Sequence, residues 1–308
     1  MSETRTSDAN GILLRARRFL QKPWREKAET LTIRWEGLRE QWRESISRIP
    51  APIRLPFGAM WLLRNDDLGE LLRTGTFESA ELAFVERFLK PGMTVLDLGA
   101  HHGLYTLLAS KVVGSRGKVI AFEPSRREWR ALLLHLILNR CSNVRVERLA
   151  VGNEDTEADL FIVKGNQTGC NSLRPPDVRT GTALTRIRVT RVDDWLEKRK
   201  YRQIDFVKLD VEGAELEALK GASRLLEQQP RPLILAEVQD VRTIPWGYRA
   251  KEILLHLQER GYKWFSLLAD GAIEELNLSA NNFEGNFVAC PLERNSDIRE
   301  MIKHGPRS

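Results

Sequence analysis

Short apolar runs alternate with stretches of helical periodicity over most of this chain. The run Thr94–Leu98 reads as a strand buried on both faces, broken at Gly99 and followed by a helix from about Gly103. The next run, Lys118-Val-Ile-Ala-Phe122, ends at Glu123. The helical pattern over 126–139 then puts Trp129, Leu132, Leu133, Leu136 and Ile137 on one face, read as buried. Further strands are predicted at 59–64, 143–151, 204–209, 233–238, 263–268 and 286–290, with a turn at 65–67 and a helix at about 79–89. An added antiparallel pair, 159–163 with 186–190, is joined by a polar loop over 164–182. Alternating strands and helices with a closing hairpin predict an α/β fold: a doubly wound, mostly parallel seven-stranded sheet with one antiparallel edge strand. Ligands of such sheets bind beyond the carboxyl ends of the strands.

Upstream the pattern changes. Leu20, Trp24, Leu31, Trp35, Leu38, Trp42 and Ile46 recur at helical spacing, with Arg25, Lys27, Arg34, Arg39 and Arg43 on the other sides. Pro50 and Pro52 end the stripe. The organisation read from these shifts is a basic amphipathic helical extension (1–50), a lead-in strand and helix (51–90), a ligand-binding domain (91–291) and a tail (292–308). The extension is expected to dock on the main domain or on a second copy; tryptophan beside basic residues also suits the headgroup layer of an anionic membrane.

Around the break at Gly99 the residue types point to a ligand. Glycine permits the sharp turn and a close approach, and the following helix N-terminus offers unpaired N–H groups. A dinucleotide loop wants glycine two positions after the first, but His101 stands there, and Asp97 would repel a pyrophosphate. S-adenosylmethionine (SAM) carries an ammonium and a sulfonium, so an acid before the turn suits it. Glu123, about twenty residues past the loop at the end of the next strand, is placed to hold ribose hydroxyls. Asp97, Gly99, Ala100, Gly103 and Glu123 are therefore the candidate cofactor residues.

Val207-Lys-Leu-Asp-Val-Glu-Gly-Ala-Glu-Leu-Glu-Ala-Leu-Lys-Gly221, together with Val95-Leu-Asp-Leu-Gly-Ala100 and Ala121-Phe-Glu-Pro124, resembles the FkbM-type SAM-dependent methyltransferases. The likeness extends over about 61–291 and includes Gly75-Thr-Phe-Glu78, the segment 169–173 and the closing Glu284-Gly-Asn-Phe-Val288. It implies a Rossmann-like class I methyltransferase fold over 91–291 and O-methylation of an acceptor hydroxyl on a polyketide, sugar or glycolipid. The chain departs from the family at His101-His102, where the family more often has Asn and an aliphatic residue.

Acids recur where strands end. Asp210, Glu212 and Glu237 are the candidate catalytic residues, because an alcohol acceptor must lose its proton to a group within hydrogen-bond reach. Orientation of the acceptor oxygen supplies much of the remaining rate. Glu215 is expected to cap the helix that it opens. His101 and His102 are alternative bases, since a helix N-terminus disfavours their charged form; equally, both merely fill the loop. Glu78, His101, Asn171 and Ser172 are candidate acceptor contacts, while His135 and His256 fall on helix patterns and read as structural. No metal is expected: capping and sugar binding explain the grouped acids.

Charge bounds the partners. Of the formal +6, residues 1–50 carry +4, from 11 Lys/Arg against 7 Asp/Glu, which leaves the body near neutral and argues against a nucleic-acid surface. Cys141, Cys170 and Cys290 lack metal-ligand spacing and read as reduced thiols in the cytoplasm, with the inner face of the membrane as a peripheral location. No apolar run reaches the roughly 20 residues needed to cross a bilayer. The partners expected are a small-molecule, glycan or glycolipid hydroxyl, no nucleic acid, and a membrane surface or second copy through 20–46. Two rival readings are a nucleic-acid or protein methyltransferase, and a non-catalytic SAM-fold module docked to a membrane or partner. The sequence Asp210-Val-Glu-Gly213 lacks the aromatic platform of base methylases, and a dead module has no need of both cation-facing acids.

Overall fold

The computed structural model describes residues 51–303, so the stripe over 20–46 lies outside the described residues. A hairpin opens the described chain, β1 (Ala51–Arg54) against β2 (Met60–Leu63). Two helices follow, α1 (Asp67–Thr74) and α2 (Ser79–Phe88). The alternation then runs β3 (Thr94–Leu98), α3 (Leu104–Val113), β4 (Lys118–Phe122), α4 (Arg126–Leu138) and β5 (Val144–Glu147). Three strands leave the main sheet: β6 (Ala150–Val151), β7 (Thr156–Val163) and β8 (Thr182–Thr190). After α5 (Val192–Arg199) come β9 (Phe206–Leu209), α6 (Glu215–Lys220), β10 (Leu233–Gln239), α7 (Ala250–Gln258), β11 (Tyr262–Leu267), β12 (Ile273–Glu275) and β13 (Glu284–Pro291).

The main sheet has the order β12-β11-β13-β10-β9-β3-β4-β5, with β10, β9, β3, β4 and β5 parallel. Their carboxyl ends therefore share one rim. The α/β, mostly parallel fold is as read from the sequence, and an antiparallel strand does make one edge, but a second one lies inside the sheet. β13 lies between β10 and β11 and runs antiparallel to both, because its fully buried Val288, Ala289 and Cys290 need a neighbour on each side. An eighth strand, β12, makes the edge, where Glu274 and Glu275 are exposed. The strand expected over 143–151 divides at Arg148-Leu149: β5 ends the main sheet, and β6 joins β8 and β7 in a small one.

Residue alternation feeds both faces of the sheet. Leu96 and Leu98 pack with α5, α6 and α7 through Trp195, Leu219 and Leu254. Val95, one residue before Leu96, packs on the opposite side with Phe84, Phe88 and Leu108 of α2 and α3. Each such buried side chain contributes about 1.5–3 kcal/mol. The hairpin closes a third cluster: Trp61 and Leu63 meet Leu104, Leu107, Leu132 and Leu136.

Helix α1 replaces the plain turn expected at 65–67. Asp66 caps it by accepting the Gly69 N–H at 2.8 Å, and Gly75 ends it at φ 70°. The helix 126–139 also needs correction: Leu132 and Leu136 are buried, but Ile137 is 74% exposed. Among the described residues, no helix is long and apolar enough to cross a membrane.

Candidate active site

A cleft of about 360 Å³ opens over the carboxyl ends of β3, β4, β9 and β10. Asp97, one residue before the end of β3, is 2% exposed and accepts the Thr106 hydroxyl at 2.5 Å. Burial pushes its carboxyl up to about 6, with Thr106 and Lys208 pulling the other way. Glu123, just past β4, is 6% exposed; its Oε2 accepts the His101 N–H and its Oε1 the Ser125 N–H, each at 2.8 Å. Burial, then the Glu128 charge, push Glu123 up to about 8. Among the described residues, no basic side chain makes a salt bridge with these two buried acids. A ligand with cationic and hydroxyl groups supplies what they lack, and each Glu123 oxygen keeps a second lone pair for a ribose hydroxyl. Leu149, Val151 and Leu160 add an apolar wall to the same cleft, so the residues fit SAM.

The glycines serve a different purpose from the one expected. A Cβ on Gly99, at φ 88°, would stand 1.7 Å from the Asp210 carbonyl oxygen; the glycine lets the β3 and β9 ends approach each other. Gly103, at φ 92°, would drive a Cβ to 2.2 Å from Leu132 Cδ1, and it is absent from the cleft lining. The loop amides are spent internally: Gly99 and Ala100 N–H both go to the Phe122 carbonyl, and Gly103 N–H goes to that of Ala100. The carboxylates, rather than free N–H groups, are what this loop turns toward a ligand.

His101 and His102 both line the cleft, and their rings stack at 3.9 Å and 17°. Burial keeps both below the ordinary imidazole range, His102 strongly so. His101 occupies the left-handed region at φ 49°, and its buried Nε2 has no hydrogen-bond partner. The side chain fills the space a pyrophosphate would need. Ligating atoms of His101, His102 and Glu128 come within 4.8 Å of one another. His135 is structural: its Nε2 accepts the Leu62 N–H at 3.1 Å and its Nδ1 donates to the His102 carbonyl at 2.8 Å.

The far side of the cleft gathers carboxylates around two cations. One oxygen from each of Asp210, Glu212 and Glu237 lies within 4.8 Å of the others. Lys208, 1% exposed, donates to Asp210 Oδ2 at 3.1 Å and to Asn286 Oδ1 at 3.2 Å. Burial opposes its charge, but Asp210, Glu78 and Glu237 outweigh that and hold its pKa above the ordinary lysine value. Arg242 Nε stands 3.0 Å from Glu212 Oε2, close enough for an ion pair though not aligned as a hydrogen bond. Burial raises Glu212 and Glu237 well above the carboxylate range, the Glu237 charge adding to the rise of Glu212 and the Asp210 charge to that of Glu237. Asp210 is more open than Glu212, with its side chain 27% exposed against 14%. Lys208 and Arg242 already bring counter-charge to the acid group, which a divalent ion would otherwise supply.

Glu78 enters from outside the alternating domain. At φ 42° before α2, it accepts the Tyr105 hydroxyl at 2.5 Å and the Asn286 amide at 3.2 Å. Asn171 and Ser172 also line the cleft, but they brace their loop: Asn171 Oδ1 accepts the Val163 N–H, and Ser172 Oγ donates to the Glu212 carbonyl at 2.7 Å. Glu215 does likewise, taking the Val211 and Gly213 N–H groups on one oxygen. Sequence reasoning passed over Lys208, Tyr105, Arg242 and Asn286. Only Lys208 left a signal, a charge in the middle of an apolar strand.

A parallel sheet with an inserted antiparallel strand, and a carboxylate at the rim of each of two adjacent strands, defines a class I SAM-dependent methyltransferase domain. The family model of the methyltransferase FkbM domain matches residues 97–264, more than half of the sequence, and the chain belongs to that family. It is 25% identical over 143 residues to "Methyltransferase 1" of Beauveria bassiana, covering 41% of this chain and 57% of that protein. A 46-residue segment is 44% identical to ribosomal RNA large subunit methyltransferase E of Pseudomonas paraeruginosa, covering 15% of this chain and 22% of that one. Among solved structures, the methyltransferase FkbM of Methylobacillus flagellatus is similar with a TM-score of 0.42 and 19% identity, covering 66% of this chain and 44% of that one. The chain thus spans less than two thirds of the length of each of these relatives.

Proposed function

We propose that this protein is an O-methyltransferase acting on a hydroxyl of a sugar, glycolipid or secondary metabolite. Asp97 and Glu123 hold the cofactor, and SAM, when bound there, supplies an electrophilic methyl group on its sulfonium. The observation that carries the reading is the acid group across the same cleft, with Asp210 more open than Glu212 and braced by the buried Lys208 ammonium. An alcohol is a poor nucleophile until its proton has an acceptor, and a fixed carboxylate within reach is that acceptor. Asp210 is the residue assigned to take the proton. Glu212 and Glu237, beside it, orient the acceptor through hydrogen bonds. His101, whose residue lines the cleft, is an additional acceptor contact.

The three cysteines are free, the form suited to a reducing cytoplasm. The proposal is tested by incubating the protein and its Asp210→Asn variant with methyl-labelled SAM and a fractionated cell extract. Label is expected in glycans, lipids or small metabolites, and in none of them with Asp210→Asn, although the variant still binds SAM. Label confined to RNA or protein would replace this reading, and full activity of Asp210→Asn would remove that residue from the mechanism.

A further inference from the structure

The outer face of α4 (Arg126–Leu138) breaks the pattern of the other surface helices. Leu134, Ile137 and Leu138 are 44%, 74% and 41% exposed, and spacings of three and four make them neighbours on one face. The opposite face, Ala131, Leu132, His135 and Leu136, is buried in the core, so the helix lies along the surface with its apolar row outward. The charges around that row have one sign. Arg126 and Arg130 are exposed at its start and Arg140 just past its end. The helix's one acid, Glu128, is fully buried and bound to Ser125 and Arg127.

We propose that this face seats the protein on an anionic lipid surface, with Leu134, Ile137 and Leu138 entering the acyl boundary and Arg126, Arg130 and Arg140 meeting the headgroup phosphates. A row of aliphatic tips flanked by arginines on a helix lying in the plane is the form that interfacial binding takes. A second copy of this chain is the poorer occupant. In a two-fold contact the same face meets itself, which would set the arginines of one copy against those of the other. The inference does not rest on the proposed chemistry, since it concerns a face of α4 that faces away from the core.

Flotation of the full chain with vesicles of phosphatidylcholine, with and without phosphatidylglycerol, tests it. The wild type is expected to float with the anionic vesicles and to lose that binding in high salt. Leu134→Asn/Ile137→Asn and Arg126→Glu/Arg130→Glu are each expected to weaken flotation by about tenfold while SAM affinity stays unchanged. The two variants remove different contributions, so a folding defect in one leaves the other decisive. The proposal is overturned if the wild type does not float, or if both variants float as it does. It is also overturned if the wild type sediments as a dimer that Leu134→Asn/Ile137→Asn dissolves, which would assign the face to a second copy.

Discussion

The two ends of the cleft treat buried acid in opposite ways. At the cofactor end, Asp97 and Glu123 are buried with no basic partner in salt-bridge contact among the described residues, and burial raises the pKa of both. At the acceptor end, Asp210 has Lys208 at 3.1 Å and Glu212 has Arg242 at 3.0 Å. One end waits for its counter-charge, and the other has it built in. An arriving cation is therefore drawn to Asp97 and Glu123, while the acceptor end keeps its shape with or without a ligand. The cost of that waiting is borne as lost stability in the ligand-free protein.

The sharpest break of this contrast removes the waiting acids. Glu123→Ala, and Asp97→Ala more so in combination, is expected to weaken SAM by at least about a hundredfold, as loss of charge-assisted hydrogen bonds does. Calorimetry reads that directly. Asp97→Asn should leave the ligand-free protein at least as stable as wild type, because it discharges a desolvated group. Undiminished SAM affinity in the double variant would mean that the cofactor lies elsewhere.

The opposite substitution probes the other end. Lys208→Met leaves Asp210 facing Glu78 and Glu237 with no cation between them, and breaking a buried pair on one side typically costs about 3–5 kcal/mol. Urea unfolding should show a loss of that size, largely restored in Lys208→Met/Asp210→Asn. A loss equal in single and double variants would show that Lys208 matters only for packing.

This difference also explains what the sequence disclosed. The cofactor end is built from neighbours in the chain: Asp97, His101 and Glu123 lie on adjacent strands and the loop between them, so local motifs carried it. The acceptor end is assembled from afar. Glu78 bonds Asn286, 208 positions on, and Arg242 reaches Glu212 from beyond the next strand. No local pattern signals such meetings. The same limit applied to the sheet: the chain pattern marked 286–290 as a closing strand, but not that β13 inserts between β10 and β11. The exposed Ile137 has a different cause, since helical spacing separates two faces and does not say which face, or how wide an arc, the core covers. Asp66, the N-cap of α1, falls inside the turn expected at 65–67, and the helix that it opens was not expected.

A change of pH sharpens the comparison without a mutation. Glu123 rises from 4.5 unfolded to about 8 in the native protein, and Asp97 from 3.8 to about 6. Between the unfolded and native values the native state holds the extra proton, so stability falls as pH rises through that window. The ligand-free protein should unfold at lower urea at pH 8.5 than at pH 6. SAM favours the ionised acids, so its affinity should climb by up to about tenfold per unit of pH, flatten above about 8, and release protons on binding. Equal affinity and no proton release from pH 6 to pH 9 would contradict the assignment of these two acids as the groups the cation meets.

The smallest expected effect lies where the two ends touch. Tyr105, on the helix that follows the cofactor loop, donates its hydroxyl to Glu78 at 2.5 Å, and its ring lies 5.1 Å from the Lys208 ammonium. Burial and the Glu78 charge push the phenol well above its ordinary range, so it remains a donor at any working pH. Tyr105→Phe keeps the ring against Lys208 and removes only the hydroxyl. Glu78 then keeps the Asn286 amide on Oε1 but loses its partner on Oε2, and a stability loss of about 1–2 kcal/mol is expected. SAM affinity should change by less than about threefold, because Asp97 and Glu123 are untouched. A larger loss of SAM affinity than of stability would show that the two ends are coupled through Tyr105, and that the acceptor end also shapes the cofactor site.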